Sequence, residues 1–197
     1  MDADQVAALR LLLGNSGWLV QTRSFARALR GRGLRVPGEL LLVGTPDEEP
    51  WHLAAHLDQE SRLSGVPGLA PTLVRWSPPP DAPPHLRVGL ARLEAARRGE
   101  TLFVVSPEVA PPPLLERVHD ARQVGATILA LDTGDPELDG MAHEYLAVAP
   151  GLAPFSFDAA QHLVSAAAGE PSGERTGLRG RLARLLDTVT GTTAPGE

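Results

Sequence analysis

Polar residues follow two predicted β-strands at the points where those strands end. Ser106 closes one short apolar run, and Asp132 closes another. In parallel α/β sheets, ligands bind beyond the carboxyl ends of the strands. The segments 106–110 and 132–135 are therefore candidates for ligand contact, and the second begins with Asp132 and Thr133. A glycine-containing turn that only ends the strand explains the second segment equally well.

Histidines on predicted helices are the second kind of residue that could do chemistry. His52 and His56 are four residues apart, with Glu48 a turn earlier, and this spacing can place metal ligands on one helix face. The spacing makes no third ligand evident, so the sequence predicts neither a metal site nor a cofactor. His119 follows an apolar position on another predicted helix, where solvent exposure is expected.

The apolar pattern places these residues on alternating strands and helices. Buried-strand runs lie near 39–44, 72–76, 101–106, 127–132 and 144–148, and helical spacing lies at 4–13, 18–30, 51–63, 86–98, 114–125 and 157–168. Strands joined by crossover helices pair in parallel. We therefore predict an α/β fold, a three-layer α/β/α sandwich with a five-stranded parallel sheet.

Three regions of the chain are expected. Residues 1–34 are predicted to be N-terminal helices that pack on the domain, residues 35–168 the α/β domain, and residues 169–197 a linker with a basic amphipathic helix and a frayed tail. Arg175, Arg179, Arg181 and Arg184 form the basic face of that last helix. The face could dock on an acidic partner, but a solvated helix surface is the favoured interpretation.

Composition excludes several classes of function. The 197 residues are 43% hydrophobic, which suits one globular domain, and the net charge of −6 argues against nucleic-acid binding. No run approaches the roughly 20 apolar residues of a membrane span. The N-terminus lacks the basic start of a signal peptide and the chain has no cysteine, so we expect a cytoplasmic protein without membrane partners. Nucleotide-binding glycine motifs are also missing.

Two stretches resemble the sugar isomerase (SIS) domain, the flavodoxin/Rossmann-type fold of phosphoheptose isomerases and of sugar-phosphate-sensing regulators. The first is Leu40-Leu-Leu-Val-Gly-Thr45 followed by a helix. The second is Gly99-Glu-Thr-Leu-Phe-Val-Val-Ser106, then a helix that ends in Gly125-Ala126 and leads into the next strand. The resemblance covers roughly residues 35–168, as an overall pattern more than a strict motif.

The resemblance implies roles for particular residues. Thr45 and Ser106 stand where the family keeps hydroxyls that bind the phosphate of a sugar phosphate. Aldose–ketose isomerisation needs a base beside the sugar C1 and C2. The family places a carboxylate on the helix after the first strand, here Asp58 or Glu60, and a histidine on the late helix, here His162. A homodimer is also implied.

This sequence departs from the family pattern at both phosphate loops. Asp47-Glu48-Glu49 places three carboxylates where a phosphate would sit, and Pro107 and Pro111–Pro113 remove backbone donors. We therefore predict a divergent, non-catalytic phosphosugar-binding protein. The alternatives are an active phosphosugar isomerase, and a structural or partner-binding module without a sugar ligand.

Overall fold

A computed structural model describes residues 17–30, 39–148 and 156–169. The strands are β1 Leu40–Val43, β2 Thr72–Val74, β3 Thr101–Ser106, β4 Thr127–Asp132 and β5 Glu144–Ala147. The helices are α1 Gly17–Leu29, α2 Trp51–Ser64, α3 Ala91–Glu94, α4 Pro112–Gln123, α5 Pro136–Met141 and α6 Phe157–Gly169. Two 3₁₀ turns lie at Pro67–Leu69 and Pro84–Leu86.

The strands form one parallel sheet in the order β2-β1-β3-β4-β5. Val43 at the end of β1 pairs with Val74 of β2 and with Val104 of β3. Ser106 and Asp132, the last residues of β3 and β4, pair with each other. This register brings the carboxyl ends of the strands to one edge of the sheet, which we call the carboxyl edge.

Helices cover both faces of the sheet, which is why the strands are continuously apolar. Leu40 and Leu42 face the layer that contains α1, α2 and α6. Leu41 and Val43 face the layer that contains α3, α4 and α5. The predicted three-layer α/β/α sandwich with a five-stranded parallel sheet is thereby confirmed.

Glycine and short polar residues end and begin the helices as the sequence indicates. Gly65 and Gly125 follow α2 and α4 with φ of 66° and 92°, a backbone conformation that favours glycine. The Ser156 hydroxyl accepts the N–H of Ala159 at 3.1 Å, so the predicted cap of α6 is confirmed. Asp135 caps α5, a six-residue helix that the sequence analysis does not predict.

The helix predicted over 86–98 is wrong. The backbone N–H of Arg75 donates to Val88 at 2.8 Å, and Arg75 and Gly89 form a parallel bridge. This pairing at the edge of the sheet satisfies backbone groups beyond the end of β2, and it leaves only the short α3 in the predicted helical span. The second strand is correspondingly shorter than predicted, ending at Val74.

Several predictions concern residues outside the described ranges. These are the helix at 4–13, the amphipathic helix within residues 169–197 and the basic arginine face of that helix. The proposed three-region division also stays a prediction. Among the described helices, none is long and apolar enough to cross a membrane.

Gly44 offers a test of how tightly the loop after β1 folds over the sheet. A Cβ at this position would overlap the carbonyl oxygen of Glu48 and lie 2.6 Å from Cδ of Pro50. We expect Gly44→Ala to lower the free energy of unfolding by about 1–3 kcal/mol, the usual cost of overpacking. Gly140→Ala is the matched control, because its Cβ meets nothing within 4 Å. Urea denaturation that finds both variants equal to wild type would contradict this packing.

Candidate functional site

The topology singles out one place on the carboxyl edge. From β1 the chain passes to β2 on one side, and then to β3 on the other side of β1. The loops after β1 and β3 therefore diverge, and such a switch point is where open α/β sheets bind ligands. Three segments build the edge here: residues 44–50 after β1, residues 106–111 after β3 and residues 132–135 after β4.

The loop after β1 is closed by its own hydrogen bonds. Thr45 is only 2% exposed, and its hydroxyl accepts the backbone N–H of Glu48 at 3.2 Å. The Thr45 N–H donates to the Glu48 carbonyl at 3.1 Å. The indole N–H of Trp76, just past β2, donates to the Gly44 carbonyl at 2.8 Å. The loop thus presents a compact turn at the candidate site.

A cation at the end of β2 is held beside this loop. The Arg75 Nε donates to the Glu49 carboxylate at 2.9 Å, and the other oxygen of that carboxylate accepts the Trp76 backbone N–H at 3.2 Å. The guanidinium lies 4.5 Å from the centroid of the Trp51 ring, a cation–π contact. Glu49 therefore neutralises Arg75, while the neighbouring Asp47 and Glu48 side chains are exposed carboxylates.

The loop after β3 is also engaged with the protein. Ser106 is fully buried, and its hydroxyl donates to the Glu108 carbonyl at 2.7 Å. At the start of α4, Pro112 and Pro113 have no N–H, and the Leu114 N–H donates to Pro111 at 2.8 Å. The first turn of α4 therefore lacks the free amides that usually bind an anion at a helix N-terminus.

The loop after β4 holds two predicted ligand residues. The Asp132 carboxylate is fully buried, and its Oδ1 accepts the N–H of Gly134 at 2.6 Å. Burial, and next a hydrogen bond to the Asp139 side chain, raise the Asp132 pKa to about 7. The Thr133 hydroxyl donates to the Pro107 carbonyl at 3.3 Å. Their roles in binding substrate stay predictions.

A second cluster lies in the seam between α2 and α6. The rings of His56 and His162 meet edge to face with centroids 4.3 Å apart. His162 Nε2 lies 3.5 Å from a carboxylate oxygen of Asp158. The pKa of His56 is lowered by burial and, to a smaller extent, by His162 and His52. In this seam, the His162–Asp158 pair therefore contacts His56, whose lowered pKa makes it harder to protonate.

The predicted catalytic carboxylates, Asp58 and Glu60, have partners other than His162. Asp58 forms an ion pair with Arg62, one turn along α2. The Glu60 carboxylate packs against Gly169 at the end of α6. Its negative charge also raises the pKa of His56, although the net shift of that pKa is downward. The structure thus brings His162 together with His56 and Asp158, while the catalytic roles of His162, Asp58 and Glu60 stay predictions.

Part of this cluster is not predicted from the sequence. The sequence pattern indicates His56 only as a candidate metal ligand, and it indicates no role for Asp158. The available signal was the matched spacing of four residues, from His52 to His56 on α2 and from Asp158 to His162 on α6. In the ranges that the structure describes, no three histidine, aspartate or glutamate side chains are placed to hold a metal ion.

Known proteins resemble the chain in structure alone. No protein family and no curated protein matches the sequence. A candidate phosphosugar isomerase from Silicibacter pomeroyi is 19% identical with a TM-score of 0.60, over 95% of this chain and 54% of the other. The sugar isomerase domain of an RpiR transcription factor from Sphaerobacter thermophilus is 16% identical with a TM-score of 0.54, over 95% and 94% of the two chains.

The chain has the SIS fold. The resemblance seen in the sequence is thereby confirmed as a divergent, SIS-like arrangement. A third structural neighbour is the Vibrio vulnificus NanR protein complexed with ManNAc-6P, which is 11% identical with a TM-score of 0.51, over 97% of this chain and 71% of the other. The chain spans about half the length of the Silicibacter protein, 54%.

The His56–His162 contact predicts a dependence of stability on pH. Because folding lowers the pKa of His56 below 6.5, the unfolded chain takes up this proton more readily, and stability falls as pH drops below that value. His56→Gln removes this loss. We expect the variant to gain stability relative to wild type as pH falls from about 7 to about 5, the range in which histidine titrates.

Thermal unfolding across this pH range measures the difference. His119→Gln is the control, because His119 is an exposed histidine on α4. A His56→Gln curve that runs parallel to wild type at every pH would show that the contact does not resist protonation.

Proposed function

We propose that this SIS-like chain binds a sugar phosphate at the carboxyl edge and does not isomerise it. The observation that carries the proposal is the position of Thr45 and Ser106 on the two loops that diverge from the switch point. The complex of the NanR protein with ManNAc-6P supports the same ligand class for a related fold.

Donors for a phosphate remain at this edge. The Thr45 hydroxyl accepts a hydrogen bond from Glu48, so its own proton is free to be donated to a phosphate oxygen. Among the described residues, the Arg75 guanidinium is hydrogen-bonded only through Nε, which leaves both Nη groups for an anion. Ser106 would have to release the Glu108 carbonyl before it could donate.

The carboxylates at this edge weaken the binding that we propose. Asp47 and Glu48 are exposed beside the Thr45 turn. Two like charges at about 4 Å repel by about 1 kcal/mol in water, and by more in a partly buried cleft. Binding should therefore weaken with each exposed carboxylate, and we expect Glu48→Gln to bind a sugar phosphate more tightly than wild type does.

The absence of turnover is proposed from the seam between α2 and α6. His162 faces a second histidine, while Asp58 is paired with Arg62 and Glu60 is directed toward the end of α6. Moving the proton between C1 and C2 requires a base directed at the sugar. None of these contacts directs a carboxylate from the seam to the carboxyl edge.

We also propose that the chain forms the homodimer that the family resemblance implies. Light scattering on the purified chain tests this assembly. A cytoplasmic location, and the absence of nucleic-acid and membrane partners, stay predictions.

A partner-binding module without a sugar ligand is the second candidate. It is favoured by one observation, which is that the hydroxyls of Thr45, Ser106 and Thr133 are all engaged with the protein's own backbone. Such a module would keep these bonds for stability alone. Ligand-binding measurements separate the two candidates.

Thermal shift with a panel of hexose and heptose phosphates tests binding. A ligand at ten times its Kd stabilises the folded chain by about 1.4 kcal/mol, which is roughly 3–6 °C for a domain of this size. We expect such a shift for wild type and its loss in the double variant Thr45→Val, Ser106→Ala. Shifts in melting temperature, rather than melting temperatures, are compared because both hydroxyls also stabilise turns.

Thr127→Val is the matched control, because Thr127 begins β4 at the opposite edge of the sheet. A ligand-induced shift that survives in the double variant would place the site elsewhere. No shift with any sugar phosphate at millimolar concentration would favour the partner-binding module.

A further inference from the structure

A buried carboxyl group and a half-buried one lie where the chain passes from β4 to α5. Asp132 ends β4 and is fully buried, and Asp139 lies on α5. No donor group in the described part of the chain reaches Oδ2 of Asp132 or Oδ1 of Asp139, although both atoms are buried. Asp139 is the side chain that acts on Asp132 as a hydrogen-bond partner and raises its pKa.

Two ionised carboxylates are unfavourable in this arrangement. Like charges in contact repel, and burial penalises each charged form, so such a pair retains a proton. The groups that act on Asp132 are the Asp139 carboxyl and the backbone amides of Gly134 and Asp135, none of which is a cation. One proton held between the carboxyls would let one group donate a hydrogen bond to the other.

We propose that Asp132 and Asp139 share one proton in a mildly acidic medium, and that this proton fastens α5 to the carboxyl end of β4. The bond ties a helix to the sheet through side chains alone. It acts as a proton-operated latch that releases as the pH rises through neutrality.

The latch also controls the candidate ligand loops. Asp135, between the two partners, accepts the N–H groups of Glu137 and Leu138 through one oxygen and the N–H of Ala110 through the other, at 2.8 Å. Thr133 in the same turn holds Pro107. The loop after β3 is thus anchored to the turn that the shared proton secures, and release would loosen both loops together.

The charged groups around the pair agree with this assignment. The pKa of Asp139 is raised by burial, and Asp135 adds to that effect. Arg122 of α4 approaches α5 but donates to the Gly140 carbonyl at 2.9 Å. His143, next to β5, accepts the Ile128 N–H at 3.0 Å near the start of β4. Neither Arg122 nor His143 is hydrogen-bonded to the pair in these contacts.

The sign of the pH effect follows from the raised pKa. Folding moves the Asp132 pKa from 3.8 to about 7, so the folded chain keeps a proton that the unfolded chain has released. The stabilisation is therefore fully present below the unfolded pKa and is lost as pH rises toward about 7. A shift of this size corresponds to at most roughly a thousandfold in the ratio of folded to unfolded chain.

Urea denaturation from about pH 5 to pH 9 tests the latch. We expect wild type to lose at least roughly tenfold in the folded-to-unfolded ratio up to neutral pH. Asp132→Asn should lose this dependence and exceed wild type in stability at alkaline pH, because an amide donates to Asp139 at every pH. Asp139→Asn should behave alike, and it serves if the first variant fails to fold. Asp120→Asn, on the exposed face of α4, should follow wild type.

Infrared spectroscopy supplies a direct signature. A protonated carboxylic acid C=O stretch should be present at pH 6, disappear with a midpoint near pH 7 and be missing in both asparagine variants. A wild-type pH curve that neither substitution changes, or no protonated-acid band at pH 6, would overturn the proposal. Loss of stability on chelation that a divalent cation restores would assign a cation in place of the proton.

Discussion

The polar groups at the carboxyl edge are hydrogen-bonded to the protein's own loops. The shape of those loops, and their access to a ligand, depend on these bonds. Thr45 closes the turn after β1, and Ser106 closes the turn after β3. Asp135 joins the loop after β3 to the start of α5. A buried polar group without a partner costs about 1–3 kcal/mol, so these bonds will yield only to a ligand that replaces them. The loops at this edge are therefore stable as they stand, and only a ligand that replaces their hydrogen bonds would change them.

The same constraint separates binding from catalysis. The loop after β1 leads through Pro50 into α2, and α2 carries His56 into contact with His162 of α6. The edge thus keeps the hydroxyls of Thr45 and Ser106, while the seam keeps a histidine and directs its carboxylates to other partners. This arrangement is what the proposed binding without isomerisation requires of an SIS-like fold.

Much of the architecture could be predicted from the sequence, because continuous apolar runs and 3.6-residue periodicity report burial directly. The parallel sheet, the glycines that end α2 and α4 and the serine that caps α6 all follow from such local patterns. The segment 86–98 could not be predicted, because its fate is decided by the distant pairing of Arg75 with Val88. Similarly, the sequence shows the carboxylates of residues 47–49, but only the fold shows that Glu49 neutralises Arg75.

The predicted site residues show the same limit. The pattern of apolar runs placed Thr45, Ser106 and Asp132 at strand ends, and the sheet register pairs Ser106 with Asp132. Spacing could not show that Asp132 turns inward to Asp139, or that Asp58 pairs with Arg62, since both depend on side-chain directions. Chemistry at helix–helix seams and beneath loops is set by tertiary contacts that a linear pattern does not contain.

The central claim is that the edge binds a sugar phosphate and that the seam does not turn it over. Saturation-transfer NMR in D₂O measures both properties in one sample. Isomerisation through C1 and C2 exchanges the C2 proton with solvent, so turnover would leave deuterium in the sugar. The account predicts saturation transfer to a sugar phosphate without deuterium uptake at C2. Deuterium uptake that is abolished by His162→Ala would contradict it and identify an active isomerase.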